Sequence, residues 1–135
     1  MFKIQSAVGN LFREFCNSVG WTEIHTPKIL GGTSEGGAEV FRLDYFGQPA
    51  CLAQSPQLYK QMAVASDFMG VYEIGPVFRA ENSNTPRHLC EFVGMDFEVP
   101  FKNHYFEVVD IIGEMFGYIF RELNKRFKTE LEIVN

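Results

Sequence analysis

Hydrophobic residues recur at helical spacing near both ends of the chain. The N-terminal series predicts a helix that stops at Gly20, because glycine readily adopts the conformation found just past a helix C-terminus. The C-terminal series predicts one long amphipathic helix over about residues 104–131, roughly 40 Å in length. The two series are Val8, Leu11, Phe12, Phe15 and Val19, and Tyr105, Val108, Val109, Ile112, Met115, Phe116, Ile119, Phe120, Leu123 and Phe127.

The middle of the chain alternates between extended runs and turn-forming pieces. WTEIHT is predicted to be extended, since the proline that follows it disfavours helix. A glycine loop spans residues 31–38, and after it come the short strand PACLA and a helix over about residues 55–66, opened by a serine N-cap and a proline. GVYEIGPVFRAE and LCEFVGMDFEV flank the polar turn NSNTPRH, which predicts an antiparallel pair. We therefore expect residues 1–135 to form one α+β domain, an antiparallel sheet flanked by helices.

Composition indicates a globular protein and restricts its partners. Hydrophobic residues make up 46% of the 135 positions and charged residues 21%. The net charge of −5 argues against a dedicated nucleic-acid binder, whose affinity comes mostly from a basic face, although one local loop can still contact a nucleic acid. Three widely spaced cysteines suggest free thiols rather than a disulfide framework. No segment is typical of a leader or a membrane span, so the chain is expected to be cytoplasmic.

The two predicted strands of the hairpin each have one polar face. Alternation puts Gly75 and Arg79 on this face of the first strand, and Phe92, Gly94 and Asp96 on that of the second. A solvated face is the simplest interpretation, but lysine, serine and threonine are scarce there. Glycines would leave room for a ligand to lie on the backbone, an aromatic ring would stack on a base, and an arginine fork suits phosphate. These features favour a nucleotide site without a P-loop or a dinucleotide-binding fingerprint.

Four segments in order resemble the class II aminoacyl-tRNA synthetases. Phe-Arg-x-Glu, a polar loop with a histidine, then Glu-Phe and Asp is similar to the family's motif 2, about residues 76–99. GWTEIHTPKI, after an amphipathic helix, is similar to motif 1, about residues 11–30. SEGGAEVF and QSPQLYKQ resemble the aspartate-specific branch in its eukaryotic and archaeal form. The resemblance runs from about Phe12 to the C-terminus and implies part of a class II catalytic domain.

The resemblance implies an ATP site on the hairpin. Arg79 matches the catalytic arginine that holds the ATP α-phosphate and the substrate carboxylate, and Phe92 matches the ring that stacks on adenine. Glu81 matches the motif 2 acid near adenine and the tRNA 3′ end. Arg87 and His88 lie in the loop that approaches ATP and the tRNA acceptor end.

The resemblance also implies an aspartate site. Lys60 and Gln57 match residues that recognise aspartate, and Glu35 matches the loop acid that meets the substrate ammonium. Asp96 is expected to share that ammonium, and Arg79 to contact the α-carboxylate. Each residue has a plainer alternative: Lys60 as a solvated lysine, Glu35 as an ordinary loop acid.

The implied partners are L-aspartate, ATP and the acceptor end of tRNA(Asp), with a homodimer formed through motif 1 and Pro27 at its interface. Motif 3, which carries the γ-phosphate arginine, does not occur in the sequence, and neither do the acids that bind Mg²⁺ near it. We therefore expect a fragment of a catalytic domain that has no aminoacylation activity alone and whose Mg²⁺ ligands lie outside it. Two alternatives stay open: an asparaginyl or non-discriminating synthetase, and a truncated, non-catalytic paralogue.

Overall fold

The computed structural model describes residues 1–32 and 39–134 and has an α+β fold. Most of the predicted glycine loop therefore lies outside the described residues. The elements are α1 Phe2–Ser18, β1 Thr22–Glu23, β2 Ile29–Leu30, β3 Arg42–Tyr45, β4 Gln48–Leu52, α2 Gln57–Ala65, β5 Val71–Phe78, β6 Glu91–Glu98, α3 Phe106–Arg126 and α4 Lys128–Val134.

A three-stranded sheet in the order β1-β5-β6 carries the predicted hairpin. Strands β5 and β6 run antiparallel, which confirms the pair expected from the two extended runs, whereas β1 runs parallel to β5. The register sets Glu73 opposite Asp96 and Gly75 opposite Gly94. The polar positions of the two strands therefore share one face of the sheet, as the alternation predicted.

A second sheet has the order β2-β4-β3, and its strand β3 was not predicted. Three of the four residues of β3 are exposed, so it lacks the alternating burial of a half-buried strand. The strand forms because it pairs with β4. The following helix begins later than predicted, at Gln57, since Pro56 is its N-cap. Ser55 still helps to start the helix, because its Oγ accepts a hydrogen bond of 3.3 Å from the Gln57 amide.

Helices α1 and α3 pack against part of the apolar face of the first sheet. The buried core contains Leu11, Phe12 and Phe15 from α1 and Met115, Ile119 and Leu123 from α3, together with Trp21 and Tyr72. Trp21 stacks on Phe97 with ring centroids 5.0 Å apart. The Tyr72 hydroxyl donates a hydrogen bond of 2.9 Å to Asn17 Oδ1, so that this buried polar tip is satisfied. Helix α1 ends at Ser18, before Gly20 with its φ of +80°, as predicted.

The predicted long C-terminal helix is wrong in its last part. Helix α3 ends at Arg126, its C-cap Phe127 has a φ of −129°, and a separate helix α4 begins at Lys128. The break lets Phe127 and Leu131 turn back onto the core. The predicted stripe is also wider than the face that α1 covers, so several of its members are exposed: Tyr105, Val109, Ile112, Phe116 and Phe120.

The apolar face of the hairpin is only partly covered, which corrects the expectation that it packs fully against helices. Val93 and Met95 are 60% and 44% exposed. With Phe2, Val8 and Ile74 they line an open groove of about 500 Å³ beside the N-terminal part of α1.

Among the described residues, no helix is both long and apolar enough to span a bilayer. The three cysteines are free thiols, as expected. Burial raises the pKa of the Cys16 thiol to about 12.

Candidate functional site

The polar face of the hairpin is recessed rather than solvated. Glu73 and Val77 on this face are each 3% exposed, and Phe92, Gly94 and Asp96 are half-buried. Strand β6 therefore exposes its apolar side chains more than its polar face, the reverse of an ordinary sheet surface. The recess argues for a site rather than a solvated surface.

Arg79 and Phe92 meet at one end of this face. The Arg79 guanidinium carbon lies 5.6 Å from the centroid of the Phe92 ring, within the range of a cation–π contact. The Arg79 amide donates a hydrogen bond of 2.9 Å to the Cys90 carbonyl, which fixes the backbone where the strands open into the loop. The structure thus brings together the two residues predicted to hold phosphate and base.

Lys60 reaches the other end of the face from helix α2. Its side chain is 4% exposed, whereas Leu58 and Met62 on the same helix are about half exposed. The ammonium donates hydrogen bonds to Asp96 Oδ1 at 3.3 Å and to the Phe97 carbonyl at 3.2 Å, and it lies 3.6 Å from Glu98 Oε2. The alternative of a solvated lysine is therefore wrong: α2 buries its one lysine and exposes apolar residues.

Gln57 joins the same cluster one helical turn earlier. Its Nε2 donates a hydrogen bond of 3.4 Å to Glu98 Oε2, so one carboxylate contacts both predicted aspartate-binding residues of α2. Spacing by three residues puts Gln57 and Lys60 on one helix face, as the sequence indicated.

A second ion pair lies beside the first. Lys28 Nζ donates hydrogen bonds to Glu73 Oε1 at 2.6 Å and to Thr26 Oγ1 at 2.9 Å. The Thr26 hydroxyl in turn donates to Glu73 Oε2 at 2.7 Å. Because Glu73 and Asp96 are cross-strand neighbours, two carboxylates share the floor of the site and each has its own lysine.

The glycine pair in the floor makes room for these carboxylates. A Cβ at Gly75 would lie 2.9 Å from Glu73 Oε1, and one at Gly94 would lie 2.8 Å from Asp96 Oδ2. In this structure the space at the two glycines is taken by the acids two residues away, rather than left open as the sequence suggested.

The loop between the strands carries the remaining predicted ATP and tRNA contacts. His88 Nε2 lies 3.9 Å from Glu81 Oε2, and His88 Nδ1 is hydrogen-bonded to the Thr85 hydroxyl. Arg87 is exposed nearby. Glu81, which follows Arg79 by two residues, is half-buried at the base of the loop.

Glu35 lies outside the described residues, and Pro27 does not join these clusters. Pro27 is exposed between β1 and β2, next to the lysine that pairs with Glu73. Sequence reasoning assigned no role to Glu98, Glu73 or Lys28. Glu98 shares the period-two face of Asp96, so alternation offered a signal for it, whereas the pairing of Lys28 with Glu73 depends on the tertiary fold.

The assembled face offers a cationic fork with an aromatic ring at one end and an ammonium with carboxylates at the other. Such a surface suits a ligand that combines a flat base, a phosphate and a zwitterionic amino acid. Among residues 1–32 and 39–134, no three His, Cys, Asp or Glu side chains are grouped to hold a metal ion.

Comparison with known proteins identifies the family. The family model of class II tRNA synthetases for aspartate, lysine and asparagine matches residues 1–135. The chain belongs to this family. A cytoplasmic aspartate–tRNA ligase of Arabidopsis thaliana is 58% identical over 134 residues, which cover 99% of the chain and 25% of the relative. The chain thus spans about a quarter of the length of this class II relative.

Solved class II synthetase structures share the fold. An aspartyl-tRNA synthetase from Entamoeba histolytica superimposes with a TM-score of 0.79 and 50% identity, over 98% of the chain and 23% of that protein. An asparaginyl-tRNA synthetase from Pyrococcus horikoshii, solved with asparaginyl-adenylate, gives a TM-score of 0.91 at 32% identity, over 99% of the chain and 30% of that protein. The predicted α+β class II fold is confirmed.

Proposed function

We propose that the chain forms part of the catalytic domain of an aspartate–tRNA ligase. The whole enzyme would join L-aspartate to ATP, release pyrophosphate, and pass the aspartyl group to the 3′ end of tRNA(Asp). The observation that carries this proposal is the buried Lys60 ammonium, held on the recessed face beside Asp96 and Gln57. A fixed cation in such a recess is suited to a substrate side-chain carboxylate, since a neutral amide brings no charge to replace an acidic partner that the lysine gives up. The names of the relatives support the same substrate.

In this proposal the α2 end of the face binds the amino acid. Lys60 and Gln57 receive the side chain of aspartate, and Asp96 receives its α-ammonium. Glu35 approaches the ammonium from the glycine loop. The half-buried position of Asp96 and its contact with Lys60 support an acid placed to bridge a bound zwitterion.

The opposite end binds ATP. Phe92 stacks on adenine, Glu81, Arg87 and His88 contact the nucleotide or the tRNA end, and Arg79 spans the α-phosphate and the aspartate α-carboxylate. A carboxylate oxygen attacks the α-phosphorus and pyrophosphate leaves with the bonding electron pair. Negative charge builds on the α-phosphate oxygens in the transition state, so a guanidinium fixed there lowers the barrier.

ATP is expected to enter with Mg²⁺, which family members generally use. The acids of the described floor do not fit such an ion: Glu73 is paired with Lys28, and Asp96 and Glu98 with Lys60. The expectation that the Mg²⁺ ligands lie outside residues 1–135 stays a prediction.

We further propose a cytoplasmic homodimer with motif 1, about residues 11–30, at its interface. The exposure of Pro27 is compatible with a contact there. The word cytoplasmic in the names of the curated relatives supports the location.

An asparaginyl or non-discriminating synthetase is the second candidate. It is favoured by the TM-score of 0.91 to the Pyrococcus asparaginyl enzyme. Sequence identity favours aspartate, at 58% against 32%.

The proposal can be tested by ATP–pyrophosphate exchange. The assay uses the full-length protein that contains this chain. We expect exchange that depends on L-aspartate and is weak with L-asparagine or L-lysine. Lys60→Met should abolish the aspartate-dependent signal, whereas Lys125→Met, on exposed α3 surface, should leave it unchanged. A preference for asparagine would favour the second candidate, and exchange with neither amino acid would contradict both.

A further inference from the structure

Glu98 ties helix α2 to strand β6. It is the last residue of β6, one pleat beyond Asp96 on the same face. Its Oε2 lies 3.6 Å from Lys60 Nζ and 3.4 Å from Gln57 Nε2. One carboxylate oxygen therefore sets the position of two side chains that the proposed function assigns to substrate recognition.

The ammonium of Lys60 is already surrounded by acceptors in this structure. It has three protons to donate and faces three acceptors: Asp96 Oδ1, the Phe97 carbonyl and Glu98 Oε2. A substrate carboxylate would be a fourth acceptor for three protons, so it would compete with the partners already present.

Asp96 and Glu98 differ in what can replace Lys60 as a partner. The zwitterionic substrate brings an ammonium that Asp96 can accept in exchange. Glu98 is instead held by Gln57 through the hydrogen bond to Nε2. Asp96 is therefore the carboxylate free to change partners, and Glu98 the one that stays.

We propose that Glu98 is a positioning residue of the amino-acid site, an inference that rests on the proposed function. It keeps Lys60 and Gln57 in place while Asp96 exchanges Lys60 for the substrate ammonium. Without the charge of Glu98, Asp96 would be the only carboxylate on a buried ammonium, and their pairing would compete more strongly with substrate.

Glu98→Gln tests this directly, because it keeps the size of the side chain and an acceptor for Gln57 but removes the charge facing Lys60. We expect KM for L-aspartate in ATP–pyrophosphate exchange to rise about tenfold with kcat changed less than about threefold. Glu91→Gln is the matched control, since Glu91 is exposed at the opposite end of the same strand. An unchanged or lower KM would overturn the proposal, as would an equal loss in kcat.

A second readout needs no activity. Mass spectrometry of reductively methylated protein should show Lys60 modified several-fold faster in Glu98→Gln than in the wild type, because its ammonium has lost one of its shielding partners. Equal Lys60 rates would overturn the positioning role. A wild-type protein without aspartate-dependent exchange would contradict the proposed function, and the labelling would still decide whether Glu98 holds Lys60.

Glu98→Asp covers the case in which Glu98→Gln does not fold. The shorter acid keeps the charge but withdraws it from Gln57 and Lys60, so we expect an intermediate rise in both KM and Lys60 labelling. Wild-type values for both would contradict the inference.

Discussion

Phe46 adopts a backbone conformation that few aromatic residues tolerate. It has a φ of +52° and is followed by Gly47 at +80°, in the two-residue turn between β3 and β4. Paired positive φ values suit the right-handed twist of a hairpin, and asparagine before glycine is the usual way to obtain them. The side chain of Phe46 is 90% exposed and contacts Tyr45, so little burial offsets the strain.

Phe46→Asn is therefore expected to stabilise the protein by about 1 kcal/mol, since asparagine enters the left-handed region more readily. Urea unfolding followed by circular dichroism would measure the shift. Phe46→Ala is the control, because alanine removes the ring but keeps the strain, and it should give little gain. Equal stabilisation by both variants would attribute the effect to the ring instead.

At the scale of elements, ion pairs connect different helices and strands of the chain. Arg13 in α1 forms a bidentate pair with Glu23 in β1, with hydrogen bonds of 2.9 to 3.0 Å. These bonds are the main reason that the pKa of Glu23 lies below its ordinary value of 4.5. The folded protein therefore holds this proton less tightly than the unfolded chain does.

This linkage predicts acid sensitivity. The contribution of Glu23 is fully present above pH 4.5, its unfolded value, and is lost as pH falls through the lower folded value. Glu23→Gln should cost about 1–2 kcal/mol at pH 7 and less at pH 3, as measured by urea unfolding across that range. Glu132→Gln is the control, since its pair with Lys128 is exposed and 4.0 Å long. A Glu23→Gln cost independent of pH would contradict the linkage.

The pair of Lys28 with Glu73 links the segment after β1 to the centre of β5. Glu73→Gln would leave the largely buried Lys28 ammonium without its carboxylate, and we expect a loss of about 3 kcal/mol in the free energy of unfolding. Replacing both partners, as Lys28→Met with Glu73→Leu, should recover most of that loss because no unpaired charge remains. Chemical denaturation of the single and double variants would measure this. A loss below about 1 kcal/mol for Glu73→Gln would mean that water or Asp96 compensates the lysine.

At the scale of the whole molecule, many large apolar side chains are exposed on the described surface. Helix α3 presents Val109, Phe116 and Phe120, each more than half exposed, on the side away from α1. The groove beside Val93 and Met95 adds to this surface. Contiguous patches of this kind favour association in water.

The 135-residue chain is therefore expected to self-associate as its concentration rises, which sedimentation velocity would detect. Phe116→Glu combined with Phe120→Glu should shift the population toward monomer, because both charges would have to be buried at a contact. Glu114→Lys on the same helix is the control for a general effect of charge. A monomer at every concentration would contradict the prediction and would also weigh against a dimer through Pro27.

Local signals were sufficient for most elements: hydrophobic periodicity predicted α1 and most of α3, the Ser55–Pro56 start signal predicted α2, and two extended runs around a polar turn predicted the pair β5–β6. Hydrophobic periodicity has clear limits. It was insufficient for β3, whose residues are mostly exposed and pair only because β4 lies beside them. It also missed the break at Phe127, because the apolar stripe of the C-terminal segment continues past the residue at which α3 ends. The site followed the same rule: alternation placed Asp96 with Arg79 on one face, but it did not indicate that Glu98 contacts Gln57 and Lys60 across 38 to 41 positions of sequence.

The sequence by itself determined the α+β elements, the polar face of the hairpin and the family, because these depend on local spacing and on residues in a fixed order. Only the tertiary structure decided that Lys60 is buried and already paired, and that Glu73 and Asp96 each have a lysine from a different segment. The physical reason is that an ion pair between distant segments depends on where the chain folds back. The sequence alone predicts an arginine and an aspartate on one face of the hairpin, whereas it does not reveal the lysine that neutralises the aspartate.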